Sequence, residues 1–423
     1  MGPVVNVMDQ TPMSMLAARL ELNDKGGVHP HVANALAILA YDPLVAGLVG
    51  YNEFAEEPQL LRAPPALNPN DAPAPGPYPR AVRAADIVAV TAYMQRAHAP
   101  RFNRQVVEDA IRTEAERSRF HPVREWLSTL RWDGVARIDS WLVKAFGAPD
   151  TPYTRAVGAK FLIAAVRRVR KPGCNFDCMP VLEGGQGIGK SRCCRRLFGE
   201  DWFTDSMPAD LTSKDGNQAV LSVWGIEFAE IEQLLRHDAE TMKAFLSRPV
   251  ERFRPPYERN YMKRGRECVF IGTTNATDYL RDTTGNRRIW PVPCVHADEQ
   301  WVAQHRDQLW AEAAEREAAG EVLWLEEDAH AEAVEAQADR LVADVWAPRI
   351  RKFLGEKRAV FATHVTTAEV LGDGLGFVAS QMTKAAEMRA ATVLTREGMV
   401  KTRGRIERGG KPLWIWRWPE ASE

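Results

Sequence analysis

Apolar positions change period along this chain, and the change divides it. Residues 1–60 carry helix-spaced apolar positions, as in VHPHVANALAILAYDPLVAGLVGYNEF, so this stretch is expected to be helical. Seven prolines follow between Pro64 and Pro79, and residues 64–83 are expected to form a linker, because proline has no N–H to donate and a fixed φ. Helical spacing returns over 84–150 (AADIVAVTAYMQRA, VVEDAIRTEAERS, VREWLSTLRW, RIDSWLVKAF), and residues 151–170 read as one helix opened by Thr151-Pro152. From Met179 to Pro293 short apolar runs (MPVLEG, AVLSVWGIEF, ECVFIGTTN, RRIWPVP) alternate with helical segments, which argues for an α/β fold with a parallel sheet. Residues 298–345 are rich in Ala and Glu and read as helix. A last small domain, 346–423, has helical patterns over 348–397 and then two β-runs around a Gly-Gly turn in VKTRGRIERGGKPLWIWRW. Trp414, Trp416 and Trp418 alternate at the strand period, so all three are expected on one core-facing side.

Bulk properties alter this picture little. The 423 residues carry a formal net charge of -1, so any affinity for a polyanion must come from local patches. No run approaches the roughly 18 apolar residues of a membrane helix, and the start MGPVVNVMDQ has no signal-peptide pattern; a cytoplasmic protein with no membrane partner is expected. Six cysteines at spacings unlike a zinc site read as buried or half-buried thiols.

The strongest chemical signal is Gly184-Gly185-Gln186-Gly187-Ile188-Gly189-Lys190-Ser191, a G-x-x-x-x-G-K-S motif running into Arg192. An expected strand precedes it and an expected helix follows. Bare glycines let backbone N–H groups surround a triphosphate, and the helix N-terminus adds partial positive charge. Lys190 is expected to reach the β- and γ-phosphates, and Ser191 to ligate magnesium. An acid must sit across from Ser191. Glu227 ends an apolar run and Glu230 lies just beyond, so one holds the metal shell and the other polarises water, in an order the spacing leaves open. Asn275, after the run ECVFIGTT, either positions water and senses the γ-phosphate or is a turn residue. Arg287 or Arg288 is placed to stabilise phosphoryl-transfer charge. Basic residues interleaved with tyrosines in SRPVERFRPPYERNYMKRGRE (Arg252, Arg254, Arg259, Lys263 and Arg264) suit single-stranded nucleic acid. Lys401, Arg403 and Arg405 make the terminal hairpin basic, and helix, helix and basic wing resemble a winged-helix DNA-binding domain.

FHPVREWLSTLRWDGVARIDSWL, then RRVRKPGCNFDCMPVLEGGQGIGKS, WFTDS, IEFAEIEQL, MKAFLSRPVERFRPPYERN and FIGTTNATDYLRDTTGNRRIWPV together resemble the virulence-associated E family, phage- and island-encoded ATPases related to superfamily 3 helicases. The likeness covers about residues 118–345. It implies a P-loop AAA+-like core over 151–345 that forms a ring, expected as a hexamer, and moves on DNA while a mobile element replicates. The cofactors are then ATP and Mg2+. The partners are single-stranded DNA in the pore, an origin duplex at the tail, and a primase or host replication proteins. On matching positions Lys190 and Ser191 are the Walker A pair, Glu227 and Glu230 fall in Walker B, Asn275 in the sensor, and Arg287 or Arg288 at the finger. Relatives often have two adjacent Walker B acids, whereas two residues separate them here. Residues 84–150 become a collar-like helical region, and the first 120 residues show no metal-binding acidic set of a primase. An alternative of another class is a nucleotide-switched assembly or initiator factor that binds DNA and recruits partners without unwinding.

Overall fold

The computed structural model describes residues 11–66, 76–208, 210–253, 261–280, 286–342, 344–404 and 413–419. The chain divides into two compact units, Met1–Thr277 with Asp282–Asp339, and Asp278–Arg281 with Arg340–Glu423. Among the described residues no helix is long and apolar enough to cross a membrane.

The beginning of the first unit departs from the helical expectation. The helix Val32–Tyr41 stops at Asp42-Pro43, Gly47 turns with φ 67°, and the chain then runs as β1 (Val49–Asn52) and β2 (Glu57–Leu60). With β3 (Arg80–Ala81) and β4 (Arg119–Phe120) these make a four-stranded sheet ordered β3-β2-β1-β4. A side chain at Gly50 would meet the Ser118 carbonyl at 2.9 Å, so the glycine that weakens the helix reading is what lets the two segments approach. Helices Ala84–Ala97 and Arg104–Arg117 complete this layer. Ile38, Leu39, Leu60, Val90, Met94, Val107 and Ile111 share one core, so residues before and after the proline-rich stretch fold together rather than as two blocks. Part of the expected linker is itself β3.

The helix expected over 151–170 is observed as Pro152–Arg170, with the Thr151 hydroxyl accepting from Thr154 N–H at 3.2 Å. Fourteen of its 19 residues are buried, which makes it a central element. The sheet beside it contains β5 (Met179–Glu183), β6 (Phe203–Thr204), β7 (Gly225–Phe228), β10 (Val269–Thr274) and β11 (Ile289–Pro293), ordered β11-β5-β10-β7-β6. Every pairing is parallel. The run AVLSVWG, expected as the start of a strand, forms the end of a helix (Lys214–Ala219) and a turn; β7 begins only at Gly225. The antiparallel hairpin β8 (Val250–Phe253) and β9 (Met262–Gly265) is inserted before β10.

Aromatic packing fastens the helix Glu299–Ala318 to this layer. Trp224 and Trp310 rings lie 4.1 Å apart, their indole N–H groups donating to the carbonyls of Ala165 and Leu197 at 2.9 and 2.8 Å. Each fully buried large apolar side chain contributes about 1.5–3 kcal/mol, and both indole donors are satisfied, so neither burial leaves an uncompensated polar group. Cys193, Cys194, Cys268 and Cys294 are buried, and Cys174 and Cys178 half-buried. Burial pushes the Cys178, Cys193 and Cys294 thiols up to about 12, which leaves them protonated.

The second unit packs helices Ala347–Ala359 and Lys384–Arg396, a helical turn Thr367–Glu369 running on through Val370–Gly374, and the hairpin β12 (Val400–Gly404) and β13 (Leu413–Arg417). Val365 bridges to Trp416 on the other edge of β13. Ile350, Leu354, Leu371, Ala390, Leu394 and Trp416 form its core. The expectation of three core-facing tryptophans fails at Trp414, which is 52% exposed where Trp416 is 2%. Strand alternation puts Trp414 and Trp416 on one face, but the core reaches Trp416, where Val365 and Thr367 stand opposite, and the half-buried Trp418, and not Trp414. The Gly-Gly turn lies outside the described residues.

Candidate functional site

Three parallel strands end side by side, and their ends carry the polar groups. Beyond β5 the glycine-rich segment Gly184–Gly189 leads into the nine-residue helix Lys190–Phe198. A Cβ at Gly184 would meet the Cys294 carbonyl at 2.6 Å, and Gly189 holds φ 103°; both positions require glycine. Lys190 is buried at 7% exposure, and its ammonium donates to the Gly184 carbonyl at 2.6 Å, the Gly185 carbonyl at 3.0 Å and Asn275 Oδ1 at 3.2 Å. Burial lowers its pKa from the ordinary lysine value.

β7 places Glu227 opposite. It is completely buried, and Oε1 accepts from Ser191 Oγ at 2.6 Å and Thr273 Oγ1 at 2.7 Å. Oε2 is buried with no partner. Burial raises the Glu227 carboxyl above its ordinary value, against the two hydroxyl hydrogen bonds that lower it. Three residues on, Glu230 sits at φ 49°, a left-handed conformation unusual for a glutamate, and caps the helix Ile231–Ser247. Thr274 Oγ1 donates to Glu232 Oε2 at 2.6 Å. A cavity of about 320 Å³ is bounded by Gln186–Arg192, Ala229, Glu230 and Thr273–Asn275. A larger one of about 820 Å³ lies elsewhere, but the cations Lys160 and Arg316 on its wall are already paired with Glu321 and Asp139.

The structure therefore joins Lys190 to Asn275 and Ser191 to Glu227 by hydrogen bonds, and sets Glu230 on the wall of the cavity that Lys190, Ser191 and Asn275 line. Arg192 is exposed and lies 3.6 Å from Glu299. The two arginines before β11 separate. Arg288 Nε is 2.8 Å from both Asp177 Oδ2 and Ser247 Oγ, whereas the exposed Arg287 side chain makes no hydrogen bond or ion pair among the described residues. Thr273 and Glu232 were given no role by sequence. Two hydroxyl residues closing the apolar strand before Asn275 were the available signal.

The nucleic-acid candidates divide too. Arg252 and Lys263 are exposed on the β8–β9 hairpin, with the Arg252 guanidinium 4.9 Å from the Tyr261 ring centroid. Arg264 is placed differently. Its side chain is 9% exposed and donates to the Phe54 carbonyl at 2.9 Å and Glu267 Oε1 at 3.3 Å, because it sits at the base of the hairpin against the N-terminal layer. Lys401 and Arg403 are exposed. Arg254, Arg259 and Arg405 lie outside the described residues.

A family model, the virulence-associated protein E-like domain, matches residues 127–342. The chain belongs to this family. The match takes in all of the polar cluster just described and ends three residues into the second unit. Among solved structures, the virulence-associated E-like chain is similar to the apo structure of the NrS-1 C-terminal region (305-718), at 12% identity and TM-score 0.47 over 88% of this chain and 96% of that one. The A form of the same region gives 12% identity and TM-score 0.47 over 92% and 100%. No curated protein matches the chain.

Proposed function

We propose that this protein is an ATP-hydrolysing motor that forms a ring and moves on DNA during replication of a phage or mobile element. The observation that carries this is the Ser191–Glu227–Thr273 cluster, in which a buried carboxylate keeps one oxygen without a partner beside a glycine-rich loop and its lysine. Such an oxygen costs roughly 1–3 kcal/mol if nothing ever meets it. The residues present fit a nucleoside triphosphate with magnesium: the loop cannot carry a side chain at Gly184, and hydroxyl and carboxylate are hard oxygen donors.

In this reading Ser191 and Glu227 hold magnesium, which when bound offsets charge on the phosphates. Lys190 leaves its carbonyl acceptors for the phosphates. Water attacks the γ-phosphorus, the bond to the bridging oxygen breaks, and the water's proton moves toward Glu230. Asn275 holds that water in line, and Arg287 of a neighbouring protomer reaches the developing charge. Arg252 and Lys263 face single-stranded DNA from the β8–β9 hairpin. The second unit, whose order of helix, bridging residue, two helical segments and hairpin suits a winged helix, grips DNA.

ATP turnover measured with and without single-stranded DNA, then strand displacement on a forked duplex, tests this. Lys190→Ala should lower turnover by about 10²–10³-fold, as loss of a charge-stabilising donor does, and abolish displacement. Nucleotide-dependent assembly with turnover indifferent to DNA would replace the motor with a switch. Absence of ATP binding in magnesium would end both.

A further inference from the structure

The second unit offers DNA two different surfaces. In helix-turn-helix domains the helix before the wing usually enters the groove. Here that helix is Lys384–Arg396, and its outer side is poorly suited to phosphate. Arg389 donates from Nε and Nη2 to Asp344, both at 2.9 Å, and its guanidinium covers the Trp346 ring at 4.1 Å. Glu387 adds a negative charge beside Met388, which is 63% exposed. Lys384 is left as the one exposed, unpaired cation on this face among the described residues.

The hairpin has the opposite character. Its described residues include Lys401, Arg403 and Arg417 and no carboxylate. Cross-strand register sets Arg403 opposite Trp414 and Lys401 opposite Trp416. The Lys401 ammonium and the Arg403 guanidinium each lie 5.2 Å from the Trp414 ring centroid. The indole is nevertheless 52% exposed. Ile415 and Trp416, its neighbours on the strand, are buried and fix the backbone that presents it. An exposed indole between two cations is the combination that binds unpaired bases: every base has a π-face, and the cations track the phosphates on either side. Bases in a duplex are stacked on each other and offer no such face.

We propose that the Trp414 face of the hairpin, not the preceding helix, is the DNA-binding surface of the second unit, and that it takes single-stranded DNA by stacking a base on Trp414. This rests on the DNA-binding part of the function proposed above, and gives that part a substrate: an unpaired strand, as at a fork, in place of a duplex groove.

The test uses the full chain, a fluorescein-labelled oligothymidylate and a blunt duplex, over a range of salt concentrations. Trp414→Ala should weaken oligothymidylate binding about tenfold or more, leave duplex binding within about twofold, and leave the salt slope unchanged. Trp414→Phe should recover most of the loss, which separates stacking from unfolding of the hairpin. Lys401→Ala with Arg403→Ala should flatten the salt slope by about 1.4, two single-strand phosphate contacts. Equal losses on both DNAs in Trp414→Ala, or a larger loss in Lys384→Ala than in Trp414→Ala, would overturn the proposal. If the parent protein binds the oligonucleotide and Trp414→Ala binds it equally well, this inference alone fails. If the parent binds neither DNA, the DNA reading of the whole protein fails with it.

Discussion

Glu227 and Glu251 are both buried carboxylates on strands of the same unit, and they are satisfied to different degrees. Glu251, 1% exposed at the base of the β8–β9 hairpin, accepts from Arg266 Nε and Nη2 on Oε1 and from Arg248 Nη1 at 3.2 Å on Oε2. Arg266 completes its own set with the Phe245 carbonyl and lies over the Phe245 and Phe270 rings. Glu227 accepts two hydroxyls on one oxygen and nothing on the other. A buried ion pair with every group met holds a hairpin in place. A buried carboxylate met on one side only is strained in the free protein and suited to a cation. The same contrast separates the two arginines before β11: Arg288 is tied to Asp177 and Ser247, and Arg287 is tied to nothing described.

The arginine pair gives the largest expected effect. Arg287→Ala should leave unfolding free energy within about 0.5 kcal/mol, as for surface positions, yet lower ATP turnover by about 10³-fold or more, the range of a trans-acting arginine. Arg288→Ala should instead lose about 1 kcal/mol of stability with a smaller loss of turnover. Chemical denaturation and steady-state ATP hydrolysis on both variants decide it. Turnover that collapses in Arg288→Ala and survives in Arg287→Ala would reverse the assignment.

These distinctions were only partly legible in the sequence. The glycine-rich loop, its strand and helix, and the apolar runs that became β5, β10 and β11 could be read because glycine placement and short apolar runs are local signals. Glu227 and Glu230 could be named but not told apart, since depth in the sheet is set by which strands pair. Arg264 read as a free cation because its partners, Phe54 and Glu267, include one more than 200 residues away. The N-terminal sheet was hidden for a related reason. Its strands are at most four residues long and pair across the proline-rich stretch, so no single window of sequence contains the pattern. Trp414 was misplaced because alternation fixes a side chain's face but not how far the core extends beneath it.

The hairpin base gives the next effect. Glu251→Ala leaves the Arg266 guanidinium as an unmet buried charge, and breaking one side of such a pair costs about 3–5 kcal/mol. Urea unfolding should show that loss, and protease cutting near residues 250–265 should become faster before the rest of the chain opens. A loss under about 1 kcal/mol would mean that the pair is not what anchors the hairpin.

The smallest effect is the most specific to Glu227. Its carboxyl titrates above the ordinary 4.5 in the folded chain, so the folded state binds that proton more tightly than the unfolded state does. The associated stability is present below the ordinary value and is lost as pH rises through the folded value. Glu227→Gln does not titrate. Its stability relative to the parent should therefore increase as pH rises from about 4.5 toward neutrality, by on the order of 1 kcal/mol, in the absence of nucleotide. Glu251→Gln, which lacks the unmet oxygen, should be less stable than the parent. Adding ATP and magnesium should reverse the order at Glu227: a ligand at 100 times its Kd adds about 2.7 kcal/mol to the protein that binds it, and the glutamine has no charge to offer the metal. A stability difference between Glu227→Gln and the parent that stays flat with pH would show that Oε2 has a partner in solution, and the contrast with Glu251 would disappear.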